Sequence, residues 1–193
     1  MLHFRMEPAR NIELKARLAN LAAARQIARR LATEYLGIQQ QTDTYFHCAQ
    51  GRLKLREIVD FGVPQSVLPD AAPQPQRESA QLISYDRADQ VGAKESHYQI
   101  VEISDPVRVR QLKSQMGIHA VVTKRREIFL HHNVRIHLDE VSNLGTFLEF
   151  EAVLGRKIDE AAGRGQVDQL RKEFGIQPVD LLATSYADML GAK

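Results

Sequence analysis

The stretch Val121–Glu151, VVTKRREIFLHHNVRIHLDEVSNLGTFLEFE, decides how the rest of the chain is read. Three runs of strand-forming residues, Val121–Leu130, Val134–Val141 and Thr146–Val153, are separated by the turn sequences HHN and SNLG. Side chains alternate across a strand, so each face can be written out separately. One face carries Lys124 and Arg126 on the first strand, Arg135, His137 and Asp139 on the second, and Phe147, Glu149 and Glu151 on the third. The other face carries Ile136, Leu138, Leu148 and Phe150, which suit packing under covering helices. A sheet with an apolar outer face and an inner face charged with both signs must enclose something polar. The pattern predicts a barrel with a working interior.

Working outward, the same alternation recurs upstream. Arg10–Arg17 reads as a strand with Asn11, Glu13, Lys15 and Arg17 on one face and Ile12, Leu14 and Ala16 on the other. Asn20 suits an N-cap for a helix from Leu21 to about Leu36, with Ala24, Ile27, Leu31 and Tyr35 on one stripe and Gly37 as terminator. Its Arg25, Arg29 and Arg30 read as a solvated face. Thr42–Cys48 and Arg52–Val59 form a hairpin around Ala-Gln-Gly, and Arg52, Lys54 and Arg56 share one face of its second strand. Three cations so placed repel one another, which makes an anion their natural neighbour. Phe61–Gln76, holding Pro64, Pro69, Pro73 and Pro75, reads as a mobile loop within about residues 61–78. Strands resume at Ala80–Asp86 and Lys94–Ile103, and Asp105-Pro106 opens a helix to about Met116. Helical segments at roughly 158–162, 166–174 and 178–190, within a covering region of about 156–193, place Leu170, Phe174, Leu181, Leu182, Tyr186 and Leu190 against the barrel's outside.

The 193 residues fit a single domain spanning 1–193, with eight strands and about four helices, an α+β architecture. A net charge of +2 gives no bulk basic surface for nucleic acid. The lone Cys48 forms no intrachain disulfide and reads as buried filler, which fits a reducing cytoplasm. Neither a signal region nor a membrane-length apolar run is present, so a cytoplasmic protein with no membrane partner is expected.

The order NIELKAR, QTDTYF, GRLKLRE, LISYDRAD and then VTKRREIFLHHNVRIHLDEVSNLGTFLEFE resembles the CYTH family, the triphosphate tunnel metalloenzymes, from about Arg10 to Tyr186. GRLKLRE and RIHLDEV…GTFLEFE are its most specific parts. The resemblance implies an eight-stranded antiparallel closed β-barrel, a tunnel that binds triphosphate with basic residues and divalent metal with acidic ones. Members include class IV adenylate cyclases, thiamine triphosphatases and inorganic triphosphatases. The chain departs from the family's opening Glu-x-Glu-x-Lys, since Asn11 stands where the first glutamate is expected.

A triphosphate is heavily anionic and needs several fixed cations. Candidates are Lys15, Lys54, Arg56, Arg87, Lys94, Lys124, Arg126 and Arg135, with Lys15, Arg56 and Arg126 assigned to the catalytic step. Glu13, Asp139, Glu149 and Glu151 offer hard oxygen ligands, which suit Mg2+ or Mn2+. Ser96 shares a face with Lys94. Asp43 and Tyr45 are further candidates to face the substrate. His137 either lines the interior or is a satisfied structural histidine, and His131 and His132 belong to a turn. Three functions follow: hydrolysis of a triphosphate (ATP, thiamine triphosphate or tripolyphosphate), class IV adenylate cyclase chemistry, and a non-catalytic polyphosphate-binding module. A homodimer stays open.

Overall fold

A computed structural model describes residues 9–63 and 74–191. Eight strands form a closed antiparallel barrel in the order β1-β5-β4-β3-β2-β6-β7-β8. They are β1 (Ala9–Arg17), β2 (Glu34–Phe46), β3 (Arg52–Gly62), β4 (Arg77–Arg87), β5 (Lys94–Ile103), β6 (Ile118–His131), β7 (Val134–Val141) and β8 (Gly145–Val153). Among the described residues four helices lie outside it: α1 (Leu21–Leu31), α2 (Pro106–Gln115), α3 (Glu160–Glu173) and α4 (Tyr186–Gly191). Closure leaves no sheet edge, and an eight-stranded interior is wide enough for side chains and one small ligand.

The outer apolar faces make the main core. Ile12, Leu14, Ile136, Leu138, Leu148 and Phe150 are buried there against Ala24 and Ala28 of α1, Val167 and Leu170 of α3, and Phe174 just after it. Asn20 caps α1 and accepts from the Ala23 amide at 2.9 Å, and Asp105 caps α2 in the same way through Val107. Gly163 lets α3 approach closely: a Cβ there would meet Leu154 Cδ2 at 2.7 Å and Ile12 Cγ1 at 3.1 Å.

Several boundaries differ from the sequence reading. The first helix ends at Leu31 and does not continue to Leu36, because Glu34 onward pairs with β6. Tyr35 stacks on Phe129 with ring centroids 4.7 Å apart. Gly37, expected as a helix terminator, sits instead at an irregularity inside β2 with φ of 103°, a conformation that favours glycine. The segments expected at 158–162 and 166–174 merge into α3. The one expected at 178–190 breaks into a 3-10 turn, Pro178–Asp180, then Leu181 bridging to Ala16, then α4. Cys48 is exposed rather than buried, because β2 ends at Phe46 and leaves it in the hairpin loop. Arg25 turns from the solvated face to Glu127, 2.6 Å away. Most of the proline-rich loop, 64–73, lies outside the described residues. No described helix is long and apolar enough to cross a membrane.

Candidate active site

The barrel encloses a cavity of about 370 Å³. Strand register explains its lining, since residues two apart on one strand share the inward face. β1 contributes Asn11, Glu13 and Lys15, and β3 contributes Lys54, Arg56 and Ile58. β6 brings Lys124, Arg126 and Ile128; β7 and β8 bring Arg135, His137, Glu149 and Glu151. Seven cationic side chains, counting Arg87 of β4, therefore meet three lining carboxylates.

Two further carboxylates stand behind the cations. Arg56 forks onto Asp43 at 2.7 and 2.8 Å, Lys54 reaches the same carboxylate at 3.1 Å, and Lys124 lies 3.8 Å from it. Arg126 forks onto Asp139 at 2.7 and 2.6 Å, and the Tyr186 hydroxyl donates to Asp139 at 3.0 Å. Burial opposes ionisation of Asp43, yet Arg56 and Lys54 outweigh it and hold the carboxyl well below its ordinary range. The lysines feel the opposite balance. Burial first and the Arg126 charge second push Lys124 down to about 7; burial and Arg56 bring Lys54 to about 8. The site is thus short of negative charge around its cations, which is a condition an entering polyanion relieves.

The carboxylates on the other side form a separate group. Lys15 Nζ lies 3.1 Å from Glu149 and 4.0 Å from the centre of the Tyr186 ring. Glu149 stays well below its usual range because Lys15 and Arg126 overcome the burial penalty. One ligand atom each of His137, Glu149 and Glu151 falls within 4.8 Å of the others. Among the described residues, His137 Nδ1 and Asn11 Oδ1 are buried without a hydrogen-bond partner. Orphaned buried polar atoms beside two carboxylates fit a divalent cation better than a dry core.

Most residues expected at the site converge on this cavity; three do not: Asp43, which stands behind Arg56 and Lys54, together with Asp139 and Lys94. Asp139 is fully buried outside the lining, with both oxygens engaged by Arg126 and Tyr186, so it anchors a cation rather than offering an open metal ligand. Lys94 is also off the lining and donates to the carbonyls of Gln90 and Ala183 at 3.2 and 2.7 Å, tying down the C-terminal segment. Glu13 lines the cavity but is paired with Arg87. Tyr186, expected on the outside, closes one end of the tunnel beside Phe147. Sequence reasoning missed this because nothing local to the SYADML segment shows which end of the barrel it meets. Gln39, Gln41 and Tyr85 also line the cavity and carried no chemical signal of their own.

The chain is similar to several known proteins. A "putative adenylate cyclase" of Methanocaldococcus jannaschii is 26% identical over 93 residues, 47% of this chain; the match spans 53% of that protein's length, about half. A structure of a "putative adenylate cyclase" from Vibrio parahaemolyticus superposes with TM-score 0.67 at 19% identity, covering 96% of this chain and 99% of that one. A Hippeastrum protein, described as a "putative adenylyl cyclase" with a dominant triphosphatase activity, superposes with TM-score 0.56 at 15% identity over 94% of this chain and 95% of that one. At those identities the two structures speak for the fold alone. The CYTH domain profile matches residues 9–186, and the chain belongs to the CYTH family.

Proposed function

We propose that this protein is a divalent-metal-dependent enzyme that hydrolyses a phosphoanhydride bond of a triphosphate compound. The observation that carries the reading is the convergence of seven cations on one enclosed cavity whose carboxylates gather on the β7–β8 side. Arg56 and Arg126 are each fixed by a buried aspartate before any ligand arrives, so their donors need no reorganisation to meet phosphate oxygens. Lys54 and Lys124 add point charges between them, and Lys15 stands beside Glu149. Phosphoryl transfer asks mainly for positioning and charge stabilisation, which such a set supplies. Glu149 and Glu151 would hold a divalent cation, whose chemistry is to neutralise phosphate charge and acidify water. The protein's own part is to bind the chain of phosphates in line, to close the Tyr186 end against bulk water, and to keep Lys15, Arg56 and Arg126 on the reacting oxygens.

Adenylate cyclase chemistry is the second reading, favoured by one feature. Away from Tyr186, the lining becomes apolar at Leu36, Ile58, Ile100 and Ile128, with Leu36 and Ile100 exposed at the rim. A nucleobase attached to a buried triphosphate would rest there. Incubating the pure protein with Mg2+ or Mn2+ and ATP, thiamine triphosphate or tripolyphosphate, then separating products, tests both. Orthophosphate release supports hydrolysis, whereas cyclic AMP with pyrophosphate supports the cyclase. Tight binding with no product from any of the three would leave a polyphosphate-binding module.

A further inference from the structure

We infer that His137 is a direct nitrogen ligand of the metal site, which makes it a mixed imidazole–carboxylate centre selective for first-row transition cations such as Mn2+ over Mg2+. The inference deepens the metal-dependent reading above and rests on the same cavity. Its starting point is strand register: His137 on β7 faces Glu149 on β8, and Glu151 follows two residues later on the same face. The Nδ1 atom lies 3.8 Å from Glu149 Oε1 and 3.9 Å from Glu151 Oε1. Those separations are too long for hydrogen bonds. They fall within the span of two ligands across one cation, up to about 4.2 Å when each bond is about 2.1 Å.

Burial makes the case specific. His137 is 4% exposed, and its Nδ1 has no hydrogen-bond partner among the described residues. A structural histidine with a buried ring nitrogen finds a partner in nearly all native interiors. This one is surrounded by acceptors held just out of reach, an arrangement that a shared cation completes. The β1 strand points the same way. Asn11 brings an uncharged amide, and Glu13 is occupied by Arg87, so β1 offers less ligand charge than a pair of free carboxylates. Hard Mg2+ depends on oxygen ligands and charge, whereas transition cations gain from imidazole nitrogen.

Pulsed EPR of the protein loaded with Mn2+ alone decides the matter, because a nitrogen ligand imprints a 14N coupling on the metal signal. Expected are a 14N coupling in the wild-type protein, its loss in His137→Gln, and tighter binding of Mn2+ than of Mg2+ by calorimetry. His137→Gln should weaken Mn2+ by roughly ten-fold or more, a scale that even outer partners of a metal ligand reach, and Mg2+ by less. Absence of Mn2+ binding, absence of 14N coupling in the wild type, its survival in His137→Gln, or equal Mn2+ and Mg2+ affinity each overturns the inference. Should His137→Gln fail to fold by circular dichroism, Glu151→Gln replaces it: Mn2+ affinity must fall while the residual bound ion keeps its 14N signal. No substrate enters these measurements, so the ligand assignment and the triphosphatase reading fail separately.

Discussion

Arg126 sets Nε and Nη2 on the two carboxylate oxygens of Asp139, and Tyr186 donates to the oxygen that Nη2 shares. The pair is buried, so each partner compensates the other's lost hydration. Removing one leaves a buried charge without its counterion, which costs about 3–5 kcal/mol. We expect Asp139→Asn to lower the melting temperature markedly and to weaken tripolyphosphate binding through a misplaced Arg126. Metal affinity should hold, because Asp139 has no free oxygen to give. A melting curve and a Mn2+ titration on the same variant separate these outcomes; lost metal binding at unchanged stability would return Asp139 to the ligand set.

Glu149 and Glu151 share a strand face yet differ in environment. Glu149 is buried and bonded to Lys15, whereas Glu151 is partly open and its Arg135 partner, 3.4 Å away, is partly exposed. Glu151→Gln should therefore change stability by no more than about 1 kcal/mol, the scale of a partly screened ion pair, while metal-dependent turnover collapses. Glu149→Gln should lose turnover and also stability, since Lys15 is left without its buried partner. Equal melting temperatures for the two variants would contradict the burial difference.

The exposed logic of alternation explains what the sequence revealed. β5 and β7 begin and end where alternation and turn residues place them, and the inner faces of β1, β3, β6 and β8 carry the charges read from sequence. Alternation assigns a residue to the interior without saying whether its polar atoms are free. Asp139 and Glu149 look alike on their strands, and what distinguishes them is the Arg126 fork on Asp139 together with Tyr186, arriving from a helix 47 residues downstream. The α1–β2 junction was misread for a similar reason. Leu31 and Tyr35 keep helical spacing, and pairing of Glu34 with Leu130 across the barrel overrides that local preference.

Lys124 and Lys54 make binding pH-dependent. Burial and neighbouring arginines lower them to about 7 and about 8, so at pH 8 a large share is neutral in the free protein. A bound polyanion favours the charged forms, and protons are taken up. Calorimetry of tripolyphosphate binding at pH 8 in buffers of different ionisation enthalpy should show uptake of about one proton, declining towards pH 6 where both lysines are already charged. The sign for folding follows: the unfolded lysines hold protons up to about 10.5, so in the free protein this contribution to stability is present above that pH and is lost as pH falls through 8 and 7. Lys124→Met should reduce the uptake. Proton release in its place would contradict the lowered values.

Gly163 and Gly165 offer a contrast within one helix. At Gly163 the space for a methyl is filled by Leu154 and Ile12, while at Gly165 nothing lies within 4 Å. Gly163→Ala should cost about 1–3 kcal/mol by overpacking α3 against the barrel. Gly165→Ala should stabilise by about 0.5–1 kcal/mol, because alanine loses less backbone entropy in a helix. Chemical denaturation of both variants reads the two signs directly.

Asn11 is where the chain leaves the Glu-x-Glu-x-Lys pattern, and its structure makes the departure testable. It lines the cavity two residues from Glu13, it is 4% exposed, and its Oδ1 lacks a partner among the described residues. A glutamate there adds ligand charge where hard cations gain most. Asn11→Glu should tighten Mg2+ by roughly ten-fold, about 1.4 kcal/mol, and Mn2+ by less, narrowing the preference between them. Without metal the added carboxylate joins Glu13 and Glu151 and repels them, which should lower the melting temperature. Adding Mn2+ should restore it. Paired metal titrations and melting curves, with and without ion, check every step: unchanged Mg2+ affinity in Asn11→Glu would place this side chain outside the metal site, leaving β1 to contribute Glu13 and Lys15 alone.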